Sequence, residues 1–242
     1  AMEAMAKRPI IRVRSLRKEY PVGDEVVVAL KNINLDIYKG EICCIFGTSG
    51  SGKSTLLNQL AGMEKPTYGG VEIGGVPVGE LDEEALARFR QERLGFVFQS
   101  YNLLPALTAL ENVALPLMFR GVPKDARERA AARMLKRVGL AHRMEHYPSQ
   151  MSGGQQQRVG IARAFIARPA VVFADEPTGN LDSKTTVEVM QMIRGFAHEH
   201  NQTILLVSHD PEMAAYADRI VTLLDGEIVG IKENHPQEEE LS

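Results

Sequence analysis

The sequence predicts an α/β fold with an antiparallel β subdomain on its N-terminal side and a helical subdomain inserted in its middle. Three observations predict it. Glu41–Phe46, Ala170–Ala174 and Thr203–Val207 are short and nearly all apolar, the composition of parallel strands covered by helices on both faces. Ile10–Leu16 and Val26–Ile37 alternate only in part, with Ile11 and Val13, then Ile33, Leu35 and Ile37, as strands with one wet face do. Between Asp82 and Ala167 the apolar spacing turns helical.

Taken in order, Val71 to Val78 reads as a tight hairpin turning at Gly74-Gly75. Asp82 is placed to cap a helix that carries Leu86 and Phe89, and Lys124–Val138 is rich in the helix formers Ala, Arg, Met and Leu. Gln155–Ile166 sets Val159, Ala162 and Ile166 on one helix face. No internal repeat is present. Ala1 to Ala6 are left outside the fold argument, and the acidic tail with Glu238, Glu239 and Glu240 is expected to be solvated.

Length and composition narrow the function. The 242 residues can bury a substantial core without metals or disulfides. Lys plus Arg is 28 against 31 Asp plus Glu, a net charge of -3, which argues against nucleic-acid binding through bulk positive charge. With 44% hydrophobic and 24% charged residues, the chain falls outside the disordered and fibrous classes. Its apolar runs are far shorter than the roughly eighteen residues of a membrane span, so the chain is not expected to cross a bilayer by itself. Cys43 and Cys44 are adjacent, poorly placed for an unstrained disulfide, and read as reduced core thiols of a cytosolic protein.

Gly47-Thr48-Ser49-Gly50-Ser51-Gly52-Lys53-Ser54-Thr55 satisfies G-x-x-x-x-G-K-[ST] between an apolar strand and a helix ending near Gly62. Glycines let successive N–H groups turn inward on a phosphate, and the helix N-terminus adds partial positive charge. Lys53 would reach the β- and γ-phosphates and the Ser54 hydroxyl would ligate magnesium. Val171–Ala174 delivers Asp175 at a strand end, the place from which nucleotide hydrolases hold that metal. Glu176 follows as a second acid, either a general base polarising a water or a solvated loop carboxylate.

Met151-Ser152-Gly153-Gly154-Gln155, followed by Gln156-Gln157-Arg158, narrows the choice. Here the sequence resembles the ATP-binding-cassette ATPases, whose signature is usually written LSGGQ; Met151 replaces the usual Leu at similar volume. The resemblance covers nearly the whole chain, with Gln99, the signature, Asp175-Glu176, Asn180-Leu181-Asp182 and His209 following the P-loop in the expected order. It implies a P-loop NTPase (RecA-like) core in one domain spanning 7–235. Residues 7–94 and 168–235 would form the catalytic core with its antiparallel β subdomain, 95–167 the Q-loop and helical subdomain, and 236–242 the tail.

The same resemblance assigns roles. Gln99 would touch magnesium and the attacking water, though an isolated Gln there reads as a surface amide. His209, at a strand end, would bond the γ-phosphate and position Glu176 and water. Ser152-Gly153-Gly154, a helix start with Ser152 as N-cap and Gln155 beside it, would close on the γ-phosphate held by a second copy packed head to tail. Asp182 would meet the opposing P-loop, where Gly179-Asn180 departs from the family's common Ser or Ala. Tyr20 would stack on adenine; alternatively it is an ordinary edge-strand tyrosine.

Two copies closing on ATP and Mg2+ would then drive an integral membrane permease, with the protein held at the inner face of the cell membrane through that partner. Tyr101–Pro105 and Leu110–Leu117 resemble the branch of lipoprotein-release, macrolide-export and cell-division-associated ATPases. Leu103, Leu104, Leu107, Leu110, Leu115, Leu117, Met118 and Phe119 lie where a partner helix would dock; most are expected in the core, one or two in the groove. A soluble or regulatory ATP-dependent clamp on another partner is the alternative.

Overall fold

The computed structural model describes residues 8–234 and Pro236, so the tail beyond Pro236 lies outside the described residues. In chain order the first elements are β1 (Pro9–Val22), β2 (Glu25–Tyr38), β3 (Ile42–Phe46), α1 (Lys53–Leu60), β4 (Tyr68–Ile73), β5 (Val76–Pro77) and α2 (Glu83–Arg93). Then come β6 (Leu94–Phe98), α3 (Ala109–Phe119), α4 (Lys124–Arg137), α5 (Gly153–Phe165), β7 (Val171–Asp175) and α6 (Ser183–Glu199). The chain closes with β8 (Thr203–Ser208), α7 (Pro211–Ala214), β9 (Arg219–Leu224) and β10 (Glu227–Glu233). The fold divides into two compact units, one up to Leu86 and from Leu206 onward, the other Ala87–Leu205. The subdomain limits expected at 94/95 and 167/168 fall inside the second unit.

In the first unit, β2-β1-β4-β5 form an antiparallel sheet. Ile11, Val13 and Leu16 of β1 face Ile37, Leu35 and Ile33 of β2, and all six are buried. The partial alternation in the sequence has a physical source. The register shifts between Val13 and Leu16, where Ser15 has φ 48, so a bulge returns Leu16 to the core face. The Ser15 N–H, lost to the ladder, donates to Asn34 Oδ1 at 2.9 Å.

The same unit holds β3 parallel to β9, with Cys43 opposite Arg219 and Phe46 opposite Thr222, and β9 antiparallel to β10. Neighbouring residues of a strand face opposite ways, so buried Cys43 and Cys44 show β3 covered on both sides. Burial pushes the Cys43 thiol well up. Arg219 donates to Glu41 at 2.7 Å and to the Asp36 carbonyl, beside the Tyr38 ring, and Asp218 accepts the Ile42 N–H at 2.8 Å; these contacts fix where β9 starts against β3.

In the second unit β6 runs parallel to β7, in register from Leu94 opposite Val171 to Phe98 opposite Asp175, with the Phe96 and Phe173 rings stacked 5.4 Å apart. The hairpin turn, the Asp82 cap (Ala85 N–H to its Oδ1, 2.7 Å) and the α4 and α5 helices lie where the sequence puts them. One expectation fails. None of the eight apolar residues from Leu103 to Phe119 named above is buried: Leu104, Met118 and Phe119 are 48%, 41% and 58% exposed, and the other five are half-buried. The inner face of α3 is instead Ala109, Asn112, Val113 and Ala114. Small side chains let α3 approach its neighbours closely, and the large ones are left outside. Asn112 fixes that choice, its amide accepting from the Leu104 N–H and donating to the Leu104, Leu107 and Thr108 carbonyls.

Candidate active site

The first unit carries the phosphate loop. The Gly47 N–H donates to the Ser208 carbonyl at 3.3 Å, which sets the start of the loop beside the strand end that precedes His209. Ser51 N–H closes a turn onto the Thr48 carbonyl, and the Gly226 N–H holds the Ser51 carbonyl at 2.8 Å. Gly52 caps α1 at φ 100, and a Cβ there would lie 2.8 Å from the Ala29 carbonyl oxygen, so only glycine fits. Lys53, Ser54 and Thr55 form the first turn of α1, with Ser54 exposed. Ser49 and Gly50 are also exposed at the loop's rim. Ser51 is 2% exposed and its Oγ has no protein partner, a buried hydroxyl orphaned inside the glycine-rich loop.

Tyr20 lies in β1, inside the strand rather than after it. Its hydroxyl donates to the Glu64 carboxylate, and Thr55 of α1 hydrogen-bonds the same hydroxyl. Burial and then the Glu64 contact raise its pKa, while Thr55 opposes them. The ring is thus anchored to the helix that carries the phosphate loop. Glu64 was not singled out in the sequence; nothing local marks a partner 44 residues away.

The second unit carries the other residues. Because Phe98 is opposite Asp175 in the β6–β7 register, Gln99 and Glu176 leave paired strand ends side by side. Asp175 and Glu176 are half-buried, and Glu176 has φ 43, a left-handed backbone that turns the chain sharply off β7. The Gln99 amide is within 3.4 Å of Asn180 Oδ1, and Asn180 Nδ2 donates back to the Gln99 carbonyl at 3.2 Å. That exchange joins Gln99 to the segment carrying Asp182.

Ser152 caps α5 as expected, its Oγ accepting from the Gln155 N–H at 3.2 Å while Gln155 Oε1 accepts the Ser152 N–H at 3.0 Å. Gln155 is therefore occupied within the cap, leaving the Gly153 and Gly154 N–H groups at the open helix end. Asp182 caps α6 by accepting the Thr185 N–H at 2.8 Å; this bond first, and then the Thr185 hydroxyl, hold its carboxyl below the ordinary range. Gln157, on α5, is fully buried; it was quoted in the sequence beside the signature but given no role. Its signal there is a polar residue on an otherwise apolar face with Ile161 and Ala164.

Among the described residues no group of three or more His, Cys, Asp or Glu side chains could hold a metal, and no helix is long and apolar enough to cross a membrane. A divalent ion held by one hydroxyl, one carboxylate, an amide and phosphate oxygens is the arrangement magnesium favours, since it keeps its waters and takes few protein ligands. Ser54 in the first unit, and Gln99 and Asp175 in the second, carry oxygen donors of the hard kind that magnesium takes.

Residues 30–179 match the ABC transporter family. The chain is 48% identical over 221 residues to the macrolide export ATP-binding/permease protein MacB of Escherichia coli K12, and 47% identical to that of Shigella flexneri. Both alignments cover 91% of this chain and 34% of the relative, so the chain spans about a third of the length of these relatives. The fold is similar to the dimeric post-hydrolysis structure of the ATP-binding cassette MJ0796 bound to ADP and Pi, with TM-score 0.86 and 42% identity over 93% of this chain and 99% of that one. It is also similar to CbiO1 of Clostridium perfringens, part of the ABC transporter complex CbiONQ, with TM-score 0.83 and 29% identity over 93% and 88%.

Proposed function

Because the chain belongs to the ABC transporter family, we propose that it is the ATP-hydrolysing motor of a transporter, two copies closing on two ATP molecules to drive an integral membrane permease. One observation carries this reading: the chain presents two separate helix N-termini led in by Gly- and Ser-rich segments, α1 behind Gly52 and α5 behind Ser152. The first suffices for one nucleotide. The second then serves the nucleotide of the other copy. Similarity to proteins named macrolide export ATP-binding/permease supports an export role, and similarity to a dimeric cassette supports the pairing.

In this reading the loop Gly47–Thr55 wraps the phosphates, with Gly50, Ser51 and Gly52 offering backbone N–H groups and Lys53 its ammonium. The buried Ser51 hydroxyl meets a phosphate oxygen. Tyr20, steadied by Glu64, presents its ring to adenine. Ser54, Asp175 and Gln99 would hold magnesium, which would offset the charge that develops on the phosphates. Glu176 accepts the proton of the attacking water, and His209 donates to the γ-phosphate and keeps that water in line. Ser152, Gly153 and Gly154 of the second copy close over the γ-phosphate, and Asp182 meets that copy's P-loop. The motor is held at the inner membrane face by its permease.

The test is ATP hydrolysis followed over a wide range of protein concentration. Turnover per chain should rise steeply as copies pair, and membrane pull-down should recover a permease. Full-speed hydrolysis by demonstrably unpaired chains would overturn the reading.

A further inference from the structure

We propose that Gln157 is a positioning residue that ties the signature helix to the two segments bearing the water-handling side chains, an inference resting on the motor reading above. Its side chain is fully buried in α5. Its Nε2 donates to the Phe98 carbonyl at 2.9 Å and to the Pro177 carbonyl at 2.5 Å. Phe98 immediately precedes Gln99, and Pro177 immediately follows Glu176. One amide thus spans the two paired strand ends, with both protons committed.

The neighbourhood is built around that amide. A Cβ on Gly160 would come within 3.1 Å of Gln157 Oε1, so glycine one turn along α5 leaves the space it occupies. Two turns along, Arg163 donates to the Tyr101 and Asn102 carbonyls at 2.9 and 2.8 Å, where both residues have positive φ. Gln157 and Arg163 therefore grip the chain on either side of Gln99, and Gln157 alone also grips the chain after Glu176.

The consequence is mechanical. Glu176 has a left-handed backbone, a conformation that persists only where surrounding bonds fix it, and the Pro177 carbonyl is one of those bonds. When a nucleotide draws on the N–H groups at the start of α5, the pull reaches Gln99 and Glu176 through one side chain. Gln157 touches neither nucleotide nor water; it sets where the residues that do will stand.

Gln157→Met keeps length and apolar packing but deletes both donors. The expected result is a fall in kcat of about tenfold or more with ATP affinity by calorimetry unchanged, alongside a lower thermal midpoint because two carbonyls lose their donor. Gln157→Glu adds a readout that a packing role would not move. Its carboxylate repels both carbonyls, whereas its protonated form donates to one, so kcat relative to wild type should rise as pH is lowered, burial raising the carboxyl pKa.

Wild-type kcat in the Met variant, or a Glu variant whose relative rate is flat with pH, overturns the inference. If the Met variant does not fold, Gly160→Ala decides instead, because it presses a methyl on the amide: a fall in kcat at unchanged affinity supports the role, and unchanged kcat removes it. A wild-type chain that binds ATP without hydrolysing it would overturn the motor reading and this one together. Normal turnover in the variants overturns this one alone.

Discussion

A methyl group on Gly154 would lie 2.7 Å from Cγ2 of Thr185, so the signature helix rests directly on the first turn of α6. Helix propensity favours alanine over glycine by about 1 kcal/mol, while forcing a methyl into a filled contact costs about 1–3 kcal/mol. Gly154→Ala should therefore lose stability, by roughly 1 kcal/mol, visible as a lower urea midpoint. A raised midpoint would show that Thr185 yields freely and that the contact is not a constraint.

Ser152 offers a cleaner probe of the shared site than either glycine. Aspartate caps helices as well as serine does, so Ser152→Asp keeps α5 started while turning a negative charge toward the partner's phosphate. Lys53→Ala and Ser152→Asp should each be inactive alone. Mixed, they should regain activity, since one of the two composite sites then has both halves intact. Proven heterodimers without hydrolysis would refute the trans arrangement.

Glu176→Gln should bind ATP, lose turnover by about 10²–10⁴-fold and accumulate as a nucleotide-bound dimer in size-exclusion chromatography. Hydrolysis at the normal rate would release Glu176 from the mechanism.

Tyr20 separates into ring and hydroxyl. Tyr20→Ala should weaken ATP binding by roughly tenfold or more, the loss expected for a stacked base. Tyr20→Phe keeps the ring, removes the hydroxyl's bonds to Glu64 and Thr55, and should bind nearly as wild type does. Equal losses in calorimetry would mean that the hydroxyl, not the ring, matters.

Asp182 gives stability a pH dependence. Its folded pKa is depressed by the Thr185 N–H and hydroxyl, so its contribution is complete above the ordinary carboxylate pKa and is lost as pH falls through the lower folded value. Asp182→Asn retains a good cap that does not titrate. Wild type and variant should unfold alike near neutrality and diverge below about pH 4, wild type losing more. Parallel acid unfolding curves would contradict this.

What the sequence disclosed was what short-range chemistry controls. The phosphate loop, the caps at Asp82 and Ser152, and the Gly74-Gly75 turn each depend on residues within a few positions of one another. The bulge at Ser15 was half visible, as a broken alternation. Glu64 and the contacts of Gln157 were not, because each is decided by a distant partner: the Tyr20 hydroxyl, and the carbonyls of Phe98 and Pro177. The apolar run from Leu103 to Phe119 misled for a different reason. Its hydrophobicity was plain, but which side turned inward depended on small residues permitting close approach.

The left-handed backbone at Glu176 sets thermal endurance against work. Glycine there would relieve about 1–2 kcal/mol of steric cost and remove the acid in the same step. Laboratory evolution under heat alone, with no demand for fuel consumption, should drift toward sturdier idle variants at this position. Only a screen that also requires the engine to run will keep the carboxylate.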